Sequence, residues 1–184
     1  IYIIENQPYL GTRNQEKEHK EDMAAVLGSI NYKILDYIAI WFFKGSRYIG
    51  NHSGIKLAFV STKSICQGDQ VAVFWPSILN NLEIGFAHQS FKWTNNAVKN
   101  AGVTVIVLSL QIASNAPKKL YIGKVVQSVS SINPYLSAGP VVYVGRRSKP
   151  ISNLPIMSYG NYTGGCESLM LLPPEKDDLL AKSP

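Results

Sequence analysis

The chain has 184 residues and a net charge of +6, and with 46% hydrophobic and 16% charged residues it is typical of a folded globular protein rather than a disordered one. Its apolar runs are too short for a membrane span, and no basic segment precedes the first of them as in a signal peptide. Two lone cysteines without CxxC spacing, Cys66 and Cys166, and three histidines without ligand spacing predict no metal site and a reducing, cytoplasmic environment.

The first stretch predicts a strand that leads into a binding loop. Residues 1–4 are apolar or aromatic and indicate a short buried strand, after which the chain turns polar up to Gly11. Open α/β sheets bind ligands at the carboxyl ends of their strands, so this loop is the first candidate site. Its groups suited to a ligand are the side chain of Asn6, the backbone carbonyls of Gln7 and Pro8, and the ring of Tyr9.

The next hundred residues alternate between helix and strand patterns. Helix patterns run through Met23 to a stop at Gly28, from Tyr32 to Ile49, and from Val71 to Leu79 with a break or restart at Pro76. Strand patterns cover residues 55–62, 82–87 and 103–110. Because a loop of roughly 15 residues joins the last two strands, they are predicted to pair as an antiparallel hairpin.

The composition changes after Gln111, and the remaining chain is predicted to be mainly β. Residues 113–117 are typical of a linker, and residues 120–126 and 141–144 predict short strands separated by turn residues. A last strand over residues 169–172 precedes a helix that begins at Pro173-Pro174-Glu175. We therefore predict two parts, residues 1–112 and residues 113–184.

Basic residues dominate one long stretch of the chain. No acidic residue occurs between Glu83 and Glu167, which predicts a polyanionic partner, although a merely basic surface would show the same pattern. The cations of this acid-free stretch are Lys92, Lys99, Lys118, Lys119, Lys124, Arg146, Arg147 and Lys149.

The loop after the first strand resembles the Asn-Pro-Pro-Tyr loop of N6-adenine DNA methyltransferases, with Gln7 in place of the first proline and Glu5 in place of the usual glycine. In that family the asparagine side chain and the next backbone carbonyl accept hydrogen bonds from the adenine amino group, and the tyrosine stacks on the extruded base. The resemblance therefore implies that the catalytic loop consists of Asn6, Gln7, Pro8 and Tyr9.

Segments over nearly the whole chain are similar, in the same order, to one subfamily, the large methyltransferases of type IIL restriction–modification systems and of related phage-defence systems. These segments are Phe59–Val71, Phe86–Trp93, Asn96–Ala97, Ile132–Leu136, Arg147–Pro155, Gly160 and Gly164–Gly165. The resemblance implies an α/β fold: the C-terminal half of a Rossmann-like methyltransferase sheet with an antiparallel terminal strand pair, followed by a partial, mainly β target-recognition region.

The resemblance also implies how double-stranded DNA would be held. In the family an aromatic residue before the final strand faces the flipped base from the side opposite the tyrosine. Phe91 and Trp93 are both candidates and Phe91 is favoured, although either ring could instead cap the hairpin. The cations assigned to DNA, mainly to its phosphates, are Lys92, Arg146, Arg147 and Lys149.

The implied cofactor is S-adenosylmethionine, but no GxGxxG pattern occurs among these residues. In this subfamily the glycine-rich cofactor loop lies upstream of the catalytic loop, and the chain begins inside a strand pattern without a methionine. We therefore predict a fragment that transfers little methyl alone and whose partner is the missing upstream portion of its parent enzyme. Neither a metal nor a membrane is implied.

Two other functions stay open. Gln7 and Glu5 could mark a catalytically degenerate DNA-binding or assembly module, and restoring proline at position 7 in the parent would separate this module from an enzyme. Methyltransferases that act on protein glutamine or on RNA also use an Asn-Pro-Pro-Tyr loop, but they lack a recognition region resembling residues 115–175.

Overall fold

A computed structural model describes residues 1–52, 54–93, 104–149, 151–152, 160 and 171–182. Within these ranges six strands form one mixed sheet in the order β1-β2-β4-β3-β5-β6. The strands are β1 (Tyr2–Asn6), β2 (Lys56–Thr62), β3 (Leu82–Lys92), β4 (Thr104–Ile112), β5 (Lys118–Ile122) and β6 (Val125–Val129). β1 and β2 are parallel, and β4 lies antiparallel between β2 and β3, which confirms the predicted α/β sheet with an antiparallel terminal pair.

The helices are α1 (Lys17–Leu27), α2 (Ala39–Asn51), α3 (Gly68–Ile78) and α4 (Pro173–Lys182). The predicted helix over residues 32–49 begins late because Tyr32–Ile34 forms a separate 3-10 turn and Leu35 is extended, with φ −90° and ψ 146°. The predicted break at Pro76 does not occur. Pro76 lies exposed in the last turn of α3. Proline has no N–H to donate, so one backbone hydrogen bond is lost, but the loss affects only the end of the helix.

The hydrophobic core lies between one face of the sheet and the helices. Alternate residues of β2, Leu57 and Phe59, point to the same side as their cross-strand partners Leu110 and Leu108, and all four are buried. Phe42 of α2 packs edge-on against Phe59, with ring centroids 5.1 Å apart. Each fully buried side chain of this size contributes roughly 1.5–3 kcal/mol, so this shared layer orders both the helices and the strands.

β1 is exposed, and the prediction that it is buried is wrong. Ile1, Tyr2 and Ile4 are 80%, 74% and 75% exposed, and Ile3 alone among these apolar residues packs on the core. Burial of a strand depends on what covers its faces and edges. Within the described residues β1 pairs with β2 alone, and side chains that point away from the helix layer are left uncovered.

The region after residue 112 differs from prediction in two ways. Residues 120–126 form a hairpin between β5 and β6 rather than one strand, because Gly123 takes a φ of 58° in the two-residue turn. Residues 141–144 are not a strand. β5 pairs in parallel with β3, so the sheet continues past residue 112, and the functional division there stays a prediction.

Residues 1–146 form one compact unit and residues 147–184 form a second, which contains α4 as predicted from Pro173. Several predicted features lie outside the described residues: the tip of the β3–β4 hairpin with Lys99, and the stretch that holds Gly164–Gly165, Cys166 and residues 169–170. No helix among the described residues is long and apolar enough to cross a membrane.

Candidate active site

The predicted loop lies at the edge of the sheet where several strand ends meet. The carboxyl ends of β1, β2 and β3 and the start of β4 share this edge, as the pairings Asn6 to Val60 and Thr62 to Val105 require. Phe91 also pairs with Val105, so it lies at the same edge as Asn6, on the other side of β2 and β4. Three strand spacings of ~4.8 Å separate the two positions by about 14 Å.

The Asn6 side chain is exposed, and no hydrogen bond from another described residue occupies it. Its neighbours are paired with each other, since the Gln7 side-chain amide donates to the Glu5 carboxylate. The two residues that depart from the Asn-Pro-Pro-Tyr pattern therefore contact each other and not the Asn6 side chain. The asparagine amide and the following backbone carbonyl stay available to a ligand.

The loop is fastened immediately after Tyr9. The Leu10 carbonyl accepts two hydrogen bonds, from Gln15 Nε2 at 3.0 Å and from the backbone N–H of Tyr37 at 3.0 Å. Gln15 Nε2 also donates to the Leu35 carbonyl at 3.0 Å, and the Gln15 side chain is buried. Sequence reasoning missed Gln15, because a lone glutamine within a charged run carries no signal that it is buried.

A second polar cluster lies at the carboxyl end of β2. Asp36 Oδ2 accepts hydrogen bonds from Thr62 Oγ1 at 2.8 Å and from Ser64 Oγ at 2.7 Å, and the Asp36 backbone N–H donates to Gln70 Oε1 at 3.1 Å. Asp36 is only 3% exposed. This buried acid was also missed from the sequence, where it stands between apolar residues of a helix-like pattern.

Aromatic rings gather along the last residues of β3. Phe91 meets His88 edge-on with ring centroids 4.9 Å apart, and Trp93 lies 6.5 Å from Phe91. His88 stacks in parallel on Tyr121 of β5 at 5.7 Å. The two predicted base-facing candidates thus belong to one cluster, in which Phe91 is supported on both sides and Trp93 lies at the end; His88 and Tyr121 were not predicted as members.

The predicted cations comprise one buried lysine and several exposed residues. Lys118 is buried and forms a 2.7 Å ion pair with Glu83, so its assignment to a surface for a polyanion is wrong. Of the other cations predicted for this surface, Lys92, Lys119, Lys124 and Arg146 are exposed within residues 1–146, and Arg147 and Lys149 are exposed within the second unit.

Two cavities differ in their relation to this edge. Arg146 borders a cavity of about 380 Å³ together with Tyr135 and the first residues of α3, Gly68 and Asp69, which follow the β2 end of the site. A larger cavity of about 420 Å³ is lined by residues such as Arg47 and Asn81 at the ends of α2 and α3 and the start of β3. It lies at the opposite edge of the sheet and away from Asn6.

The Glu83–Lys118 pair gives stability a dependence on pH. Burial alone would raise the pKa of Glu83, but hydrogen bonds from Lys118, Gln111 and Ser114 together hold that pKa below its usual value of 4.5. A lowered folded-state pKa means that the stabilisation is present above pH 4.5 and is lost as pH falls through the folded-state value. We expect Glu83→Gln to destabilise the protein by about 3 kcal/mol near pH 7, since it leaves Lys118 buried and unpaired.

The measurement is thermal unfolding of the wild type and of Glu83→Gln between pH 7 and pH 3. The difference in Tm should shrink as the wild-type carboxylate becomes protonated. Glu21→Gln serves as the control and should leave Tm nearly unchanged, because Glu21 is exposed and, among the described residues, its ion pair is with the exposed Lys17 of α1. A constant difference across the range would contradict the assignment of the pH effect to Glu83.

Comparisons with known proteins agree with this geometry. The family model for the MmeI DNA-methyltransferase domain matches residues 1–122. DNA methyltransferase A of Bacillus subtilis (strain 168) is 40% identical over 187 residues, which include all of this chain and 21% of that protein. The type IIL restriction–modification enzyme MmeI, solved in complex with DNA, superposes with a TM-score of 0.82 at 33% identity, over 98% of this chain and 25% of that one.

The chain thus spans about a quarter or less of the relatives that it matches. The matched family model begins at the strand that carries the Asn6 loop and extends through β5, so it includes the whole edge described above apart from Arg146. Taken with the six-stranded mixed sheet and its antiparallel β3–β4 pair, this match confirms the predicted resemblance to type IIL restriction–modification methyltransferases. The chain belongs to the family of MmeI DNA-methyltransferase domains.

Proposed function

We propose that this chain forms the base-acceptor side of the active site of an N6-adenine DNA methyltransferase, acting in the cytoplasm within a restriction–modification protein. The observation that carries the proposal is the state of Asn6. Its amide is exposed and unoccupied within the described residues, and it stands at the end of a parallel strand on a loop fixed through Leu10. Such an amide and the next carbonyl form a rigid pair of acceptors.

The chemistry requires acceptors at this position. The lone pair of the adenine amino group is delocalised into the ring, so the nitrogen is a weak nucleophile. Hydrogen bonds from its two hydrogens to the Asn6 side-chain oxygen and the Gln7 carbonyl would draw the nitrogen toward a tetrahedral geometry and free the lone pair. No general base is needed, because the methylated amine can lose its proton to water.

The base itself would be held by aromatic faces. An extruded adenine loses its stacking in the duplex, and a ring on each side offsets part of that loss. Tyr9 is half-buried and packs on the core, three residues after Asn6, and we propose its ring as one of these faces. We propose Phe91 as the opposite face, supported by His88, and Trp93 as the alternative.

DNA would contact the same edge through cations. MmeI was solved in complex with DNA, and the exposed charges of Lys92 and Arg146 suit phosphates beside the proposed base site. We propose that Arg147 and Lys149 also bind phosphates of the DNA, as members of residues 113–184, which would form the start of a target-recognition region. Phosphate contacts of this kind orient the duplex without reading its sequence.

The methyl donor proposed for this family is S-adenosylmethionine, but the residues of this chain do not fit a complete site for it. The sequence carries no glycine-rich loop of the GxGxxG kind, and its glycines in the first 70 residues are scattered. The donor would therefore be held by other parts of the full-length protein. The role left to this chain is to bind, orient and activate the acceptor.

The alternative is a catalytically degenerate DNA-binding module, and one observation favours it. The Gln7–Glu5 hydrogen bond keeps a carboxylate beside the site, where negative charge opposes the approach of DNA. Proline at position 7 would restore a fixed φ and remove the donor that holds Glu5 in place.

A methylation assay separates the two functions. Purified full-length protein is incubated with labelled S-adenosylmethionine and duplex DNA, and products are digested to identify N6-methyladenine. We expect transfer by the wild type and a higher rate for Gln7→Pro. Absence of transfer in both forms, with binding to DNA intact, would support the non-catalytic module instead.

A further inference from the structure

Asp36 is a buried acid with an unusual set of partners. Its carboxylate is 3% exposed, and within the described residues it has no cation beside it. Two hydroxyl groups, those of Thr62 and Ser64, donate to the same oxygen and also contact each other at 2.7 Å. One carboxylate oxygen thus fixes the segment that leaves β2, at the edge where Asn6 ends β1.

The backbone on both sides of Asp36 holds the loop that follows β1 and carries Asn6 and Tyr9. The Leu35 carbonyl accepts from Gln15 Nε2, and the Tyr37 N–H donates to the Leu10 carbonyl, which Gln15 also contacts. Three consecutive residues, 35–37, therefore connect the loop that carries Asn6 and Tyr9 to the loop that follows β2. None of these hydrogen bonds involves Asn6 or Tyr9.

The second carboxylate oxygen makes the arrangement more specific. Asp36 Oδ1 is fully buried and has no hydrogen-bond donor among the described residues. A buried carboxyl oxygen without a hydrogen-bond donor is unfavourable, and a protein that needed only to fill this space would be more stable with an apolar residue. An unsatisfied buried group in a native structure therefore calls for an explanation other than stability.

From these contacts we propose that Asp36 is a positioning residue for methyl transfer. It sets the distance between the Asn6 loop and the β2–α3 loop. It thereby sets where the two acceptors, the Asn6 side-chain oxygen and the Gln7 carbonyl, lie relative to the adenine amino group. This inference rests on the proposed function. A displacement of about 1 Å at reacting groups can lower a rate by roughly a hundredfold, so a loosened connection should affect turnover before binding.

The test uses the full-length protein and a pair of variants that differ in one hydroxyl group. Thr62→Val keeps the shape of the side chain but removes a donor to Asp36, and Thr62→Ser keeps that donor. We expect Thr62→Val and Asp36→Asn to lower kcat for adenine methylation by roughly 10- to 100-fold with KM for DNA nearly unchanged. Thr62→Ser should stay within about threefold of the wild type.

Ser46→Ala is the matched control for the loss of a buried hydroxyl hydrogen bond. Ser46 Oγ donates to the Phe43 carbonyl at 2.8 Å, on the part of α2 beside the start of β2 and away from Asn6. If Ser46→Ala and Thr62→Val lower Tm to a similar extent but only Thr62→Val lowers kcat, the loss of kcat comes from the displaced Asn6 loop and not from lower stability. An equal loss of kcat in both, or unchanged kcat in Thr62→Val, would overturn the proposal.

A second readout does not depend on activity. Hydrogen–deuterium exchange of the peptide that covers residues 6–12 should be faster in Thr62→Val and Asp36→Asn than in the wild type or Ser46→Ala. Unchanged exchange in both variants would overturn the positioning role. If the wild type shows no methyl transfer, the proposed function fails, and the exchange comparison still decides whether Asp36 connects the loops.

Discussion

Replacing Asn6 with alanine in the full-length protein should lower kcat for adenine methylation by at least about a hundredfold, the usual effect of losing one preorganised group that binds developing charge. The side chain is exposed and makes no hydrogen bond within the described residues, so the fold has no use for it. The loop backbone is held instead through Leu10, and its position should survive the substitution. The measurement is single-turnover methylation together with Tm.

Asn6→Asp and Asn14→Ala complete this experiment. Aspartate keeps an acceptor oxygen in the same place, so Asn6→Asp should retain more activity than Asn6→Ala, although its charge opposes DNA. Asn14 is an exposed asparagine in the 3-10 turn that follows the same loop, and its loss should leave kcat unchanged. Wild-type turnover by Asn6→Ala, with Tm intact, would remove the amide from the mechanism and with it the main support for the proposed function.

Local patterns predicted most of the fold. The strand over residues 55–62 and the end of α1 at Gly28 come from short-range features, namely alternation of apolar residues and a glycine with a positive φ. The burial of β1 did not follow from its own sequence, because exposure depends on what lies beside a strand. A strand of isoleucines shows the same pattern at an edge as in the middle of a sheet.

In the candidate site too, local features were predictable from the sequence and long-range contacts were not. The position of the Asn6 loop at the end of β1 was predictable, because a strand pattern and the turn residues after it are consecutive in the sequence. Asp36 and Gln15 were not, since their partners lie up to 34 residues away and nothing near them in the sequence marks them as buried. Lys118 was assigned to the wrong environment for the same reason: its partner, Glu83, is 35 positions earlier and pairs with it only because β3 and β5 are neighbours.

Of the side chains beneath the site, Trp75 should contribute most to the stability of the protein. It is fully buried in α3, with its ring 5.6 Å from Phe74 and 6.3 Å from Phe42, and its Nε1–H donates to the Ile65 carbonyl at 2.6 Å. We expect Trp75→Ala to reduce the free energy of unfolding by about 3–5 kcal/mol, from lost burial and the cavity left behind. Urea unfolding followed by far-ultraviolet circular dichroism measures the loss.

Trp75→Phe separates packing from the hydrogen bond. Phenylalanine retains much of the buried surface but leaves the Ile65 carbonyl without its side-chain donor, which costs about 1–3 kcal/mol. Because Ile65 follows Ser64 in the 3-10 turn Lys63–Cys66, this variant should also loosen the loop that Asp36 holds. Trp93→Phe is the control, since Trp93 is only half-buried at the end of β3 and should tolerate the change. Equal losses in both variants would mean that the Trp75 hydrogen bond does not fix the turn.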